Sequence, residues 1–234
     1  MLADRKYSLS LAGLFGLYVL AGKLGLSLAS LHASASPVWP PTGIALAAFL
    51  TLGYRLWPAI FAGAFVVNVS TAGSAATAAA IALGNTLEGL LGAFLVVRYA
   101  NGSRAFDHAQ DVFKFAVLAG LLSSLVSATI GVVSLSLAGY ARWADFDGIW
   151  LTWWLGDASG ALVFAPLLVF AGARLVVRPL VWPVARGRRP LAHDDVHRAR
   201  GVRRRAGASG ADDASAHIPV HPSARLGRRA LPSA

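Results

Sequence analysis

Asn85, Glu88 and Asp157 are polar residues set inside long apolar stretches of this sequence. A carboxyl or amide at membrane depth costs a few kcal/mol on insertion scales, so each marks a candidate site. Asn85 and Glu88 stand three residues apart, on one face of a helix and near the middle of the run Thr77–Val97. An acid and an amide so placed either bridge to a neighbouring helix or line a polar cavity. Asp157 lies within Trp150-Leu151-Thr152-Trp153-Trp154-Leu155-Gly156-Asp157-Ala158-Ser159-Gly160, three tryptophans around one carboxylate. An aromatic box with an acid at its floor suits a cationic or amphipathic ligand. The same tryptophans equally suit an interfacial belt.

Other polar groups carry less chemistry. Lys23 falls toward the outer third of the first apolar run, where its stem can snorkel to the interface. Asn68 ends a third run and reads as a cap or a headgroup contact. Gly156 and Gly160 permit close approach of another helix, and Gly120, Ser124, Ser127 and Gly131 form a packing stripe. The sequence contains no cysteine, no HExxH, no P-loop and no Ser-x-x-Lys. His193, His197, His217 and His221 lie in the C-terminal tail, so no metal site, cofactor or enzymatic activity is expected.

The elements that must position these groups are membrane helices. The chain has 234 residues, 56% hydrophobic and 14% charged, with mean hydropathy +0.59, too apolar for a soluble domain. Tyr7–Leu31 follows Asp4-Arg5-Lys6 and at about 1.5 Å per residue reaches about 37 Å. That length spans a hydrocarbon core of about 30 Å and exceeds a signal-peptide core. Further apolar runs are Thr42–Gly53, Trp57–Val69, Thr77–Val97, Val112–Ala138 and Ile149–Ala171. Thr42–Gly53 is short and can cross only if the Pro-containing segment from Ser34 dips into the protein as a broken or re-entrant entry. The expected fold is all-α: a polytopic transmembrane bundle of about six spans.

Charge placement orients this bundle. With the N-terminus inside, six crossings put Arg5, Lys6, Arg55, Arg98, Arg104, Lys114, Arg174 and Arg178 on the cytoplasmic side. The other side receives Arg142 and His32, a strong positive-inside bias. Both termini are therefore expected in the cytoplasm.

The composition changes near residue 175. Of the net charge of +10, about +3 belongs to residues 1–185 and about +7 to 186–234, where eleven Arg accompany four Asp and neither Lys nor Glu occurs. The basic character is thus a property of the tail and does not imply specific nucleic-acid binding. Residues 179–234 lack the apolar periodicity needed to build a core and are expected to be disordered. They read either as a basic arm for anionic lipid or nucleic acid, or as Arg/Ala/Gly/Pro-rich product of a frameshift in GC-rich DNA.

Several motifs together resemble a known family. These are Pro37-Val38-Trp39-Pro40-Pro41-Thr42-Gly43-Ile44-Ala45-Leu46, Gly53-Tyr54-Arg55-Leu56-Trp57-Pro58, Gly63-Ala64-Phe65-Val66-Val67-Asn68, Ala82-Leu83-Gly84-Asn85-Thr86-Leu87-Glu88, Ser127-Ala128-Thr129-Ile130-Gly131, Thr152-Trp153-Trp154-Leu155-Gly156-Asp157 and Ala165-Pro166-Leu167-Leu168. Across residues 37–168 the chain resembles the first class of MASE domains, membrane-associated sensors of bacterial signalling proteins. The resemblance implies a sensory input module in residues 1–178, incomplete at its C-terminal end, in the bacterial inner membrane. It implies histidine-kinase or cyclic-di-GMP output in full-length relatives, a small-molecule or membrane-borne signal, and a homodimer as one assembly. The ligand- or signal-sensing candidates are Trp39, Thr42, Asn68, Asn85, Glu88, Trp153, Trp154 and Asp157. A small transporter or channel is the competing reading, from Glu88, Asp157 and the Pro-broken segment, but the sequence shows no internal repeat with paired broken helices. A non-functional sensor fragment is the third.

Overall fold

The computed structural model describes residues 2–71 and 73–174. Helix α1 runs Leu2–Leu26, α2 Pro40–Thr51, α3 Trp57–Val69 and α4 Ala75–Tyr99. Helix α5, Ala109–Phe115, passes through a π-helical stretch, Ala116–Leu122, into α6, Ser124–Leu137, and α7 runs Phe146–Arg174. No strand occurs among the described residues; one isolated bridge joins His32 and Ala35.

Local chemistry sets the boundaries. Proline stands at the first turn of both α2 and α3, where a missing N–H costs nothing. Between them Gly53 takes φ 98°, a backbone region open to glycine, and turns the chain within a few residues. A reciprocal capping box starts α4, with the Ser74 hydroxyl accepting from Thr77 N–H and the Thr77 hydroxyl accepting from Ser74 N–H.

Six apolar segments appear as expected, with a qualification on length. Four are long and apolar enough to cross a membrane: Asp4–Leu26, Ala75–Tyr99, Ala109–Leu137 and Trp143–Ala171. Helices α2 and α3, of 12 and 13 residues, reach only about 18 and 20 Å. The segment before α2 makes up part of the difference by entering the protein. Ala35, Ser36 and Trp39 are buried, and Trp39 N–H donates to the Gly156 carbonyl of α7 at 3.0 Å. The re-entrant geometry thus has its backbone groups met inside the protein rather than by lipid.

Contacts at the two ends of the bundle fit an up-and-down order. At one end Tyr7 Oη donates to the Arg55 carbonyl at 2.9 Å, and the Arg55 guanidinium lies 5.3 Å from the Tyr7 ring centroid. At the other, Lys23 Nζ donates to the carbonyls of Val67 and Ser70, both at 3.2 Å, and to Thr71 Oγ1 at 3.0 Å. His32 Nε2 lies 3.1 Å from the Tyr140 carbonyl at that same end. Lys23 therefore does more than snorkel: it closes the C-terminal carbonyls of α3, where a cation is favoured.

Lipid tails are as apolar as leucine, so packing comes from close approach. Helix α2 lies most intimately on α7, and α4 packs against both α3 and α6. One apolar core gathers Tyr18, Leu46, Phe49, Leu56, Ile60, Val96 and Phe115. A second gathers Ile81, Val132, Leu135, Ile149 and Trp153. The tail, 179–234, and the domain boundary at residue 178 lie outside the described residues.

Candidate functional site

Three helices bring one polar residue each to a common point. Thr42, in the first turn of α2, directs its hydroxyl at two carboxylates: Asp157 Oδ1 of α7 at 3.0 Å and Glu88 Oε2 of α4 at 3.3 Å. A hydroxyl has one proton, so it donates to one acid at a time. All three residues are buried, Asp157 completely. The second oxygens, Asp157 Oδ2 and Glu88 Oε1, are buried and have no partner.

A second layer continues from α4 to α6. Ser127 Oγ donates to Asn85 Oδ1 at 2.8 Å and accepts from Trp153 Nε1 at 3.2 Å. Asn85 Nδ2 is left without a partner. Whichever way the amide is turned, one of its ends stays unmatched, at a cost of about 1–3 kcal/mol for a buried group.

Beside Asp157 lies a cavity of about 10 Å³, lined by Ser34, Ser36, Trp39, Asn68, Trp153 and Asp157. Three of its lining groups, Ser34 Oγ, Trp39 Nε1 and Asp157 Oδ2, are buried without a partner. Asn68 is buried and donates from Nδ2 to the Ala64 carbonyl at 2.9 Å. It neither caps α3 nor meets headgroups, in contrast to the expectation from its position at the end of an apolar run.

Backbone contact builds this site. A Cβ added at Gly160 would meet the Trp39 carbonyl oxygen at 1.9 Å, and one at Gly156 the Ser36 carbonyl oxygen at 2.0 Å. On the facing helix, a Cβ at Gly43 would meet the Gly160 carbonyl oxygen at 2.4 Å. The small residues of α7 thus receive the non-helical strap before α2, as well as α2 itself. Ser159 Oγ adds a donor to the Pro37 carbonyl at 3.2 Å.

Of the eight residues singled out from sequence, seven gather here: Trp39, Thr42, Asn68, Asn85, Glu88, Trp153 and Asp157. Trp154 does not. Its ring stacks on Trp150 at 6.0 Å, and its Nε1 donates to the Leu121 carbonyl in the π-helical stretch at 2.9 Å. Trp150 Nε1 reaches Thr129 Oγ1 at 3.2 Å. Trp150 and Trp154 therefore form a seam to the α5–α6 span, and of the three indoles Trp153 alone also stands beside the acid, so no aromatic box surrounds it.

Ser34, Ser36 and Tyr18 escaped the sequence reading as site residues. Ser34 enters it only as the start of the Pro-containing segment, and Ser36 not at all. Tyr18 is buried in α1 beside Trp39 and near both acids, with Gly63 leaving the room its ring needs. Its one legible signal was a hydroxyl in the middle of an apolar helix. Among the described residues no group of three or more His, Cys, Asp or Glu side chains could hold a metal ion.

Comparison with known proteins yields one match. The MASE1 family model covers residues 10–187, three quarters of the chain and more than the motifs at 37–168 alone. No curated protein and no solved structure matches. The chain therefore belongs to the MASE1 family of membrane sensor domains of signalling proteins.

Proposed function

We propose that this chain is the sensory input module of a bacterial signal-transduction protein of histidine-kinase or cyclic-di-GMP type. It sits in the inner membrane with both termini cytoplasmic, has no catalytic activity of its own, and passes its signal to a cytoplasmic kinase or cyclase output domain. Residues 1–178 form the sensor and 179–234 a separate tail. The signal is a small-molecule or membrane-borne one, read by Thr42, Glu88, Asp157 and their neighbours Trp39, Asn68, Asn85 and Trp153.

The observation that carries this reading is the single Thr42 hydroxyl between Glu88 and Asp157. It couples α2, α4 and α7 at a point where polar atoms remain unmatched. A ligand that satisfies those atoms in one helix arrangement and not another shifts the equilibrium between the two. Trp154, bound to the π-helical stretch, belongs to the apparatus that holds α7 rather than to the sensing group.

The test grafts residues 1–178 onto a reporter kinase. Glu88→Gln and Asp157→Asn should insert normally and change the signalling level or its stimulus response. Parental signalling by both variants, across pH and candidate stimuli, would reduce the acids to packing elements. Orientation is tested separately: alkaline-phosphatase fusions should be inactive after Arg104 and Arg178 and active after Ser34 and Asp145.

A further inference from the structure

The cavity beside Asp157 brings three polar groups to one small space. Asp157 Oδ2, Ser34 Oγ and Trp39 Nε1 all belong to residues more than nine-tenths buried, and none has a hydrogen-bond partner within the protein. The other lining groups are already served. Ser36 Oγ lies between the Gly25 and Val38 carbonyls at 2.7 and 2.8 Å and accepts from Val38 N–H at 3.3 Å. Asn68 Nδ2 donates to the Ala64 carbonyl. Trp153 Nε1 donates to Ser127 Oγ, and Ser127 Oγ to Asn85 Oδ1. Two donors that stand near Asp157 are therefore committed elsewhere.

Polarity and size narrow what can serve the three. An indole N–H only donates, so the occupant must accept, which turns away metal and ammonium cations. The free lone pairs of Asp157 Oδ2 call for a donor, which turns away a halide. The Ser34 hydroxyl serves either role. One neutral species must therefore both give and accept within about 10 Å³, about the room that a single water needs. A buried water typically makes about three hydrogen bonds, and three groups are on offer.

We propose that this cavity binds one water molecule, which accepts from Trp39 Nε1–H, donates to Asp157 Oδ2 and pairs with Ser34 Oγ. Two of its partners lie on the strap 34–39 and the third on α7. The water thus adds a second tie to the bond from Trp39 N–H to the Gly156 carbonyl. With Thr42 Oγ1 beside Oδ1, both oxygens of the Asp157 carboxyl then have a neighbour to bond. On the sensory reading above, a ligand that reaches Oδ2 has to displace this water or bond through it. The water site itself rests on the cavity and its walls alone. Tyr18, buried beside Trp39, is the rival acceptor for the indole.

The experiment is water-edited solid-state NMR on the full chain in lipid vesicles, with isotope-labelled tryptophan indoles. Magnetisation from water should reach Trp39 Nε1 at least threefold faster than Trp154 Nε1, which is three residues from Asp157 and bound to the Leu121 carbonyl. Ser34→Val puts methyl groups into the cavity in place of the hydroxyl and should slow Trp39 to the Trp154 rate. Tyr18→Phe should leave Trp39 fast. A parent protein in which Trp39 is as slow as Trp154 would overturn the site, as would a fast Trp39 in inserted Ser34→Val. A slow Trp39 in Tyr18→Phe would hand the indole to the tyrosine hydroxyl. Should Ser34→Val fail to insert, the parent and Tyr18→Phe still decide. If Trp39 is slow while Glu88→Gln still alters the reporter kinase, the water site fails and the sensory reading stands.

Discussion

The two sides of α7 hold their neighbours by opposite means. Toward the strap and α2, Gly156 and Gly160 remove side chains so that backbone touches backbone, and the polar atoms around Asp157 are left partly unmatched. Toward the α5–α6 span, large side chains fill the gap, and each indole N–H of Trp150, Trp153 and Trp154 has an acceptor. A satisfied seam has one favoured arrangement and resists change. An under-satisfied contact has spare hydrogen-bonding capacity that a ligand can complete, and its members sit on different helices. On the proposed sensory reading, the satisfied face is the fixed reference and the under-satisfied face the one that responds.

The largest effect should come from blocking the close approach. Gly160→Val places atoms where the Trp39 carbonyl now lies, and the strap cannot retreat without losing its hydrogen bond to Gly156. Overpacking typically costs about 1–3 kcal/mol, and a clash with backbone rather than a flexible side chain belongs at the upper end, so the thermal midpoint in nanodiscs should fall sharply. A near-normal midpoint would show that the strap is not clamped.

Thr42→Val keeps the shape of the α2 entry and removes the hydroxyl shared by both acids. Loss of a donor to a buried carboxylate costs about 1–3 kcal/mol. The grafted kinase should show altered output along with this moderate loss. Unchanged output would separate the acids from signalling and erase the contrast between the two faces.

Trp153→Phe removes the donor to Ser127 and leaves a gap against Gly131, whose missing Cβ makes room for the indole. A loss of about 1–2 kcal/mol is expected. Trp154→Phe, on the seam, removes the bond to the Leu121 carbonyl and reduces the stack on Trp150, and should cost about 1 kcal/mol. Output of the grafted kinase should survive Trp154→Phe. A strong signalling phenotype there would make the π-helical stretch part of the switch and would reverse the assignment of fixed and responsive faces.

Much of this arrangement is written in the order of residues. The lengths of the apolar runs and the distribution of Arg and Lys are read directly by a bilayer of fixed thickness and charge asymmetry. They therefore predict six segments and their order without knowledge of any contact. The need for the Pro37–Pro41 segment to enter the protein also follows from length, because α2 alone is too short. Helix periodicity placed Asn85 and Glu88 on one face.

The partners are another matter. Thr42 meets Asp157 across 115 residues of chain, and no local rule joins them. Trp153 and Trp154 are neighbours in sequence, yet a turn of about 100° sends one to Ser127 and the other to the π-helical stretch. Sequence showed the polar groups and their cost at membrane depth. Which of them share a hydrogen bond, and which are left unmatched around a cavity, depends on the rotation and closeness of packed helices. Backbone contacts at Gly43, Gly156 and Gly160 set both, so the membrane and the order of its crossings came from the chain, and the site came from the packing.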